Sequence, residues 1–429
     1  MRRGSKRKRM GVLALSLALC AGVAACGTGS PSQETQETTE TAEETAFAGL
    51  TTLIDTSQQF TDRDLTQTVD LSQAQEVTVE NGKDITIDQE GVYRIRGSAK
   101  EASIVVEAED TAKVQLVLDG VTITNESKPA IYVKSADKIF VTTTEGSENA
   151  LSVTGTFEAD GETNTDAVIF AKEDIVLNGL GALIIESTNH GITGKDDLKI
   201  TGGTYTITAT GHGVEAHNSI RMAGGTVTIE AGKDGFHAED EDDLTTGYVY
   251  IAGGDLNVTA GDDGIRATTY AIVDGGTLAI QSLEGIESTY VQINGGRITI
   301  DASDDGINAA EKTTAVAVKI EIHGGTIVIT MAQGDTDALD ANGDLQITGG
   351  EINITAQFAF DFDGTGELTG GTVTVNGEEV TQLTNSMQGG GGGGFGEPGG
   401  QGGPDGPGVP SGGPEGRDST GGPGNGQRP

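Results

Sequence analysis

From residue 202 onward the chain returns to Gly-Gly at a nearly fixed interval. The first glycine of the pair falls at 202, 224, 253, 275, 295, 324, 349 and 370, in steps of 22, 29, 22, 20, 29, 25 and 21. A period near 22 residues with occasional insertions marks a repeat architecture, in which each unit buries its apolar side by stacking on the next. Three short segments recur in each unit, as in VQINGG, RITIDAS and DDGINA. After Gly-Gly the apolar residues stand two apart: Val227 and Ile229, Leu256 and Val258, Leu278 and Ile280, Ile298 and Ile300, Ile327 and Ile329, Ile352 and Ile354. Mostly polar residues lie between them, so each segment is a strand with one face inward. Three strands in about 22 residues are too long for a leucine-rich horseshoe and too strand-rich for helical repeats. The pattern predicts an all-β parallel β-helix with three strands per coil, glycines at the corners and β-branched ladders as core. A calcium-binding nonapeptide roll is excluded by the period.

Aligning the third strand of successive units brings out the candidate site. The series runs His190-Gly191-Ile192-Thr193, His212-Gly213-Val214-Glu215, Asp234-Gly235-Phe236-His237 and Asp263-Gly264-Ile265-Arg266. It continues through Glu284-Gly285-Ile286-Glu287, Asp305-Gly306-Ile307-Asn308 and Asp337-Ala338-Leu339-Asp340. The third member is apolar and inward, and the polar residues around it face outward. Asp before Gly is a common turn residue, which accounts for part of the ladder. Stacked carboxylates repel one another, however, and several acids are doubled. Asp234, Asp262, Asp263, Glu284, Asp304, Asp305, Asp335, Asp337 and Asp340 are therefore candidate ligands, and hard oxygen donors suit Ca2+. Glu215, His237, Arg266, Glu287 and Asn308 are the candidate glycan contacts beside them. Tyr248, Tyr270 and Tyr290, each five residues before Gly-Gly, form either a structural ladder or a platform for sugar rings. Two insertions, Glu239 to Gly247 and the one beginning near Ala310, leave from the same corner and would wall a shallow groove. His190 and His212 stack at a spacing of 22; without a Cys or a nearby third His they are not read as a transition-metal site.

The ends of the chain differ from its middle. MRRGSKRKRM followed by GVLALSLALCAGVAAC reads as a secretory signal, too short for a stable span. Val23-Ala24-Ala25-Cys26 matches a bacterial lipobox, with Cys26 lipidated as the mature N-terminus. Cys20 would leave with the signal, so no disulfide is possible. The formal charge is −39, and residues 1–25 carry six basic residues and no acidic one. The processed chain is still more acidic, and nucleic acid is excluded as a partner. The predicted organisation is a signal at 1–25, an acidic tether at 26–46, a cap region at 47–76, the repeat domain at 77–383 and a Gly/Pro-rich tail at 384–429. A monomer, extracellular and held to the membrane by lipid, is expected.

The phrases DAVIFAKEDIVLNGLGALIIES, HGITGKDDLKITGG and GYVYIAGG resemble a family of bacterial surface lipoproteins with a carbohydrate-binding domain, over roughly residues 75–380. The resemblance implies a right-handed, single-stranded parallel β-helix like that of pectate lyases, Ca2+ binding, and association with cellulose and acidic, pectin-like polygalacturonan. The chain departs from the family in placing His190 and His212 where Asn or Asp is more usual. The expected function is thus polysaccharide binding with Ca2+ on the acidic ladder, without catalysis. One alternative is a polysaccharide lyase, with Arg266 as the base that takes the C5 proton. The other is an adhesive stalk with no defined glycan.

Overall fold

The computed structural model describes residues 53–161, 163–240, 243–334 and 336–385; Cys26 and Asp335 lie outside these residues. The strands belong to the compact unit that begins at Ser57. Apart from the last strand, each pairs in parallel with the equivalent strand of a neighbouring repeat. Thr204–Ala209 pairs with Thr226–Ala231 through Tyr205↔Val227 and Ile207↔Ile229. Val214–Ala216 pairs with Phe236–Ala238 through Val214↔Phe236, and Ser219–Met222 with Tyr248–Ile251 through Ile220↔Val249. Alternation therefore puts like residues above like. The inward Val, Ile and Leu of all three strands are buried in one continuous core, and full burial of each contributes about 2 kcal/mol.

Among the described residues the strands sort into two sheets, of 24 and 12 strands. This corrects the expectation of a right-handed single-stranded parallel β-helix with three strands per coil. The cause lies near the start. Gly91–Lys100 and Lys113–Asn125 are strands of 10 and 13 residues. Lys113–Asn125 runs on to pair with both Lys138–Thr143 and Glu148–Val153. Two of the three strands of each repeat are thereby joined in the larger sheet, and the third alone builds the smaller one. The larger sheet ends in an antiparallel pair, Thr372–Val375 with Glu378–Val380.

The second glycine of Gly-Gly is required by conformation: Gly276 has φ of 92°, a region that a side chain disfavours. The glycine of Asp-Gly-Ile is required by space. A Cβ on Gly264 would run into Ile280 Cγ2 and stand 2.6 Å from the Gly285 carbonyl oxygen.

The segment before the first strand lies across outward residues of the larger sheet. Its short helix, Asp62–Leu65, is capped by Thr61. Asp64, fully buried, meets Lys199 Nζ at 2.9 Å and Lys138 Nζ at 3.5 Å. Arg63 stands over the Phe140 ring at 4.4 Å. Gln67 donates to the Thr201 carbonyl and accepts the Gly179 N–H at 2.9 Å. Further along, the Tyr248 hydroxyl donates to Gln59 at 2.7 Å.

Candidate functional site

The smaller sheet carries one unbroken outward row. Glu215 pairs in register with His237, His237 with Arg266, and Arg266 with Glu287. The row goes on through Asn308 and Asp340 to Asp361. The residue three places earlier in each repeat forms a second row: His190, His212, Asp234, Asp263, Glu284, Asp305 and Asp337. Strands placed about 4.8 Å apart bring these groups into direct contact.

The second row has a structural task that the sequence reading assigned only to local turns. Four of its side chains accept the backbone N–H of the same position one repeat on. His190 Nδ1 accepts from His212 at 2.9 Å, and His212 Nδ1 from Asp234 at 3.3 Å. Asp234 accepts from Asp263 at 3.0 Å, and Asp305 from Asp337 at 3.2 Å. Asp234 and Asp263 are buried in consequence, while Asp262 and Asp304 remain exposed.

The two rows interlock. Arg266 Nη1 lies 3.1 Å from Asp263 and 2.7 Å from Glu287. Lys312, from the insertion near Ala310, pairs with the other oxygen of Glu287. Glu239, from the first insertion, lies 3.2 Å from His237 Nε2. Both insertions thus deliver a charge to this face, and sequence gave no signal for the register of Lys312. Asn308 donates to Glu284 at 3.0 Å, while its own Oδ1 is buried without a hydrogen-bond partner.

Charge accumulates toward the C-terminal half. Burial, and then the charges of Asp234, Glu287 and Glu284, hold Asp263 well above the usual carboxylate range. Burial and Glu287 push Glu284 up to about 7. Burial pushes Asp305 up to about 6, and burial with Asp305, Asp361 and Asp337 pushes Asp340 up to about 7. Against burial, His212 and His237 hold Asp234 low, while Asp234 and Glu239 raise His237 to about 9. Carboxylate oxygens of Asp234, Asp262 and Asp263 lie within 4.8 Å of one another, as do those of Asp263, Glu284 and Glu287. Oxygen donors are of the type that hard cations take, and here Arg266 and Lys312 already pair with two of these carboxylates.

The imidazoles form a stack of three, with His237 joining the predicted pair: His190 and His212 are 4.8 Å apart at 8°, and His212 and His237 4.2 Å apart at 30°. A metal bound by imidazole lies in the ring plane, which the near-parallel rings of His190 and His212 do not share; atoms of His212, Asp234 and His237 lie within 4.8 Å of one another. Burial lowers His190 to about 4, so it stands neutral beside Glu215.

The three tyrosines begin strands of the larger sheet. Tyr270 and Tyr290 pair in register, with rings 6.1 Å apart and tilted by 54°. Tyr290 is buried, and Tyr248 is engaged by Gln59 and by Arg221 at 5.3 Å. The row is not an open platform, because neighbouring elements cover its two outer members.

The profile of the family described as carbohydrate-binding domain-containing protein matches residues 81–333 and 284–381, which is most of the chain. The chain belongs to this carbohydrate-binding domain-containing family. A relative with the same description, from Acetivibrio thermocellus, is 34% identical over 128 residues, covering 29% of this chain and 45% of the relative. The chain thus spans less than half the length of that relative. The gadolinium derivative of a polysaccharide lyase-like protein from C. thermocellum is similar at 25% identity and a TM-score of 0.46, over 63% of this chain and 98% of the other.

Proposed function

We propose that this protein binds polysaccharide, and that Ca2+ held by the acidic rows bridges it to an acidic, pectin-like chain. Family membership supports the class of ligand. The observation that carries the finer reading is the buried crowd of Asp263, Glu284 and Glu287 next to the unsatisfied Asn308 oxygen. With a formal charge of −39, the surface repels a polyuronate unless cations intervene. Asp234, Asp262 and Asp263 would form one end of the cation-binding stretch, and Glu284, Asp304, Asp305, Asn308, Asp337 and Asp340 the other. Glu215, His237, Arg266 and Glu287 would line the glycan's path.

The binding reading is favoured over a lyase by the state of Arg266. Its guanidinium is partly buried and paired with Glu287 and Asp263, so its proton is held more tightly than usual, the opposite of what a base requires. Incubation with polygalacturonate and Ca2+ should release no unsaturated product; product that disappears in Arg266→Ala would establish the lyase. Gel retardation in polygalacturonate should be strong with Ca2+, lost with EGTA, and lost in Asp263→Ala/Asp305→Ala. Retardation that EGTA leaves unchanged would remove calcium from the account, and none in any glycan would leave an adhesive stalk. Lipid attachment at Cys26, which would hold the chain extracellularly at the membrane, is tested by labelling with a fatty-acid probe, expected in the intact chain and absent in Cys26→Ala.

A further inference from the structure

One carboxylate of the acidic rows is held on both of its oxygens by the protein's own cations. Arg266 Nη1 lies 2.7 Å from one oxygen of Glu287, and Lys312 Nζ takes the other. Glu287 is buried, so a divalent ion that uses its oxygens must displace one of the two. They differ in how firmly they are held. Arg266 stands on the strand Ile265–Ala267 and also grips Asp263 at 3.1 Å. Lys312 reaches in from a loop on a flexible four-carbon stem, and among the described residues it pairs with Glu287 alone. The lysine is therefore the one that can leave.

Its placement is not that of a stray surface charge. The loop between Ile307–Ala309 and Lys319–Ile322 is seated on the stack at Thr289. The N–H groups of Lys312 and Thr313 both donate to Thr289 Oγ1, at 2.9 and 3.3 Å. Thr289 is buried, and its hydroxyl donates in turn to the Thr268 carbonyl at 2.7 Å. These hydrogen bonds fix where the stem begins, while the ammonium can reach Glu287 or swing into solvent. The oxygens it guards lie within 4.8 Å of those of Asp263 and Glu284. Beside them is Asn308, only 7% exposed, which donates to Glu284 and keeps a buried Oδ1 without a partner.

We infer that Lys312 is a resident counter-ion, which competes with a divalent cation for Glu287 and so sets the affinity of the Asp263, Glu284 and Glu287 cluster. Without metal, the ammonium neutralises Glu287 and keeps the empty cluster stable. When a divalent ion enters, the ammonium swings out, and the loss of its pair opposes binding. The cluster therefore fills only at higher cation concentration than its carboxylates alone would require. Arg266 stays in place and fixes the orientation of Glu287. The inference rests on the calcium reading of these carboxylates, and goes beyond it in naming the residue that regulates the site.

Calcium calorimetry and thermal melting of the full chain test it. Lys312→Met keeps the stem and removes the charge, and it should bind Ca2+ about tenfold more tightly than the intact chain. In EGTA the same variant should melt at a lower temperature than the intact chain. Saturating Ca2+ should remove that difference, because the ammonium contributes only when the metal is absent; the shared melting point also shows that the variant folds. Most of the gain in affinity should vanish when Lys312→Met is made in a Glu287→Gln chain, since the contested oxygen is then gone. A gain of the same size in that chain would reveal a general charge effect and overturn the competition. Affinity that Lys312→Met leaves unchanged or weakens would overturn the inference while the calcium reading stands. No Ca2+ binding by the intact chain or by Lys312→Met would overturn both.

Discussion

The same slot in successive repeats is filled by imidazole at His190 and His212, and by carboxylate from Asp234 to Asp337. At His190, His212, Asp234 and Asp305 the side chain accepts the next repeat's N–H. At these four positions the slot is served by a short-reach acceptor, and neutral His190 meets that need. Carboxylates meet it too, but add charges that then crowd one another at Asp263, Glu284 and Asp305. The acidity of the C-terminal half is in excess of what these hydrogen bonds require.

The sharpest way to break this comparison is at Asp234, which serves the N–H of Asp263 and pairs with His237. Asp234→Ala leaves a buried donor and a charged imidazole without their partner, and should cost about 3 kcal/mol in urea unfolding. Asp234→Asn, which keeps an acceptor, should recover the part of that loss due to the N–H. If Ala and Asn are equally damaging, the acceptor role is not the one that matters.

Gly264→Ala tests the spacing on which both halves depend. Its Cβ would strike Ile280 and the neighbouring carbonyl, and a loss of about 2 kcal/mol is expected. Full stability would show that the stack yields more readily than its contacts imply.

A third test uses pH. A carboxyl with a raised folded pKa holds its proton more tightly folded than unfolded. Cation-free stability should therefore fall as pH rises from near 4.5, the ordinary value for Glu284, through about 7. Without cation, Tm should be lower at pH 8 than at pH 5, and Ca2+ should restore it most at pH 8, with proton release on binding. A Tm that rises from pH 5 to pH 8 in EGTA would contradict the crowding. The smallest effect is expected for His212→Asp, which writes the acidic version into the imidazole stretch. Loss of ring stacking should cost about 1 kcal/mol, while the pH dependence without cation steepens.

Much of this was legible in the sequence. Period and alternation placed Ile265 inward and put Glu215, His237, Arg266, Glu287 and Asn308 in one outward row, as the register shows. The number of sheets was not legible, because it depends on strands near residues 91–125 that lack the Gly-Gly signal. Depth was missed too. Asp263 reads as an outward candidate ligand, but the structure buries it. Partners remote in sequence, such as Gln59 for Tyr248 and Lys312 for Glu287, leave no local trace.

The segment carrying Gln59 and Asp64 has a mechanical consequence. It grips strands in the body of the larger sheet, through Lys138, Lys199, Gly179 and Tyr248, rather than only the terminal strand Gln75–Thr78. Tension applied to the chain ahead of residue 57 is therefore shared by several strands through a buried ion pair and side-chain hydrogen bonds. Those bonds must shear together before the terminal strand is exposed to peeling one bond at a time.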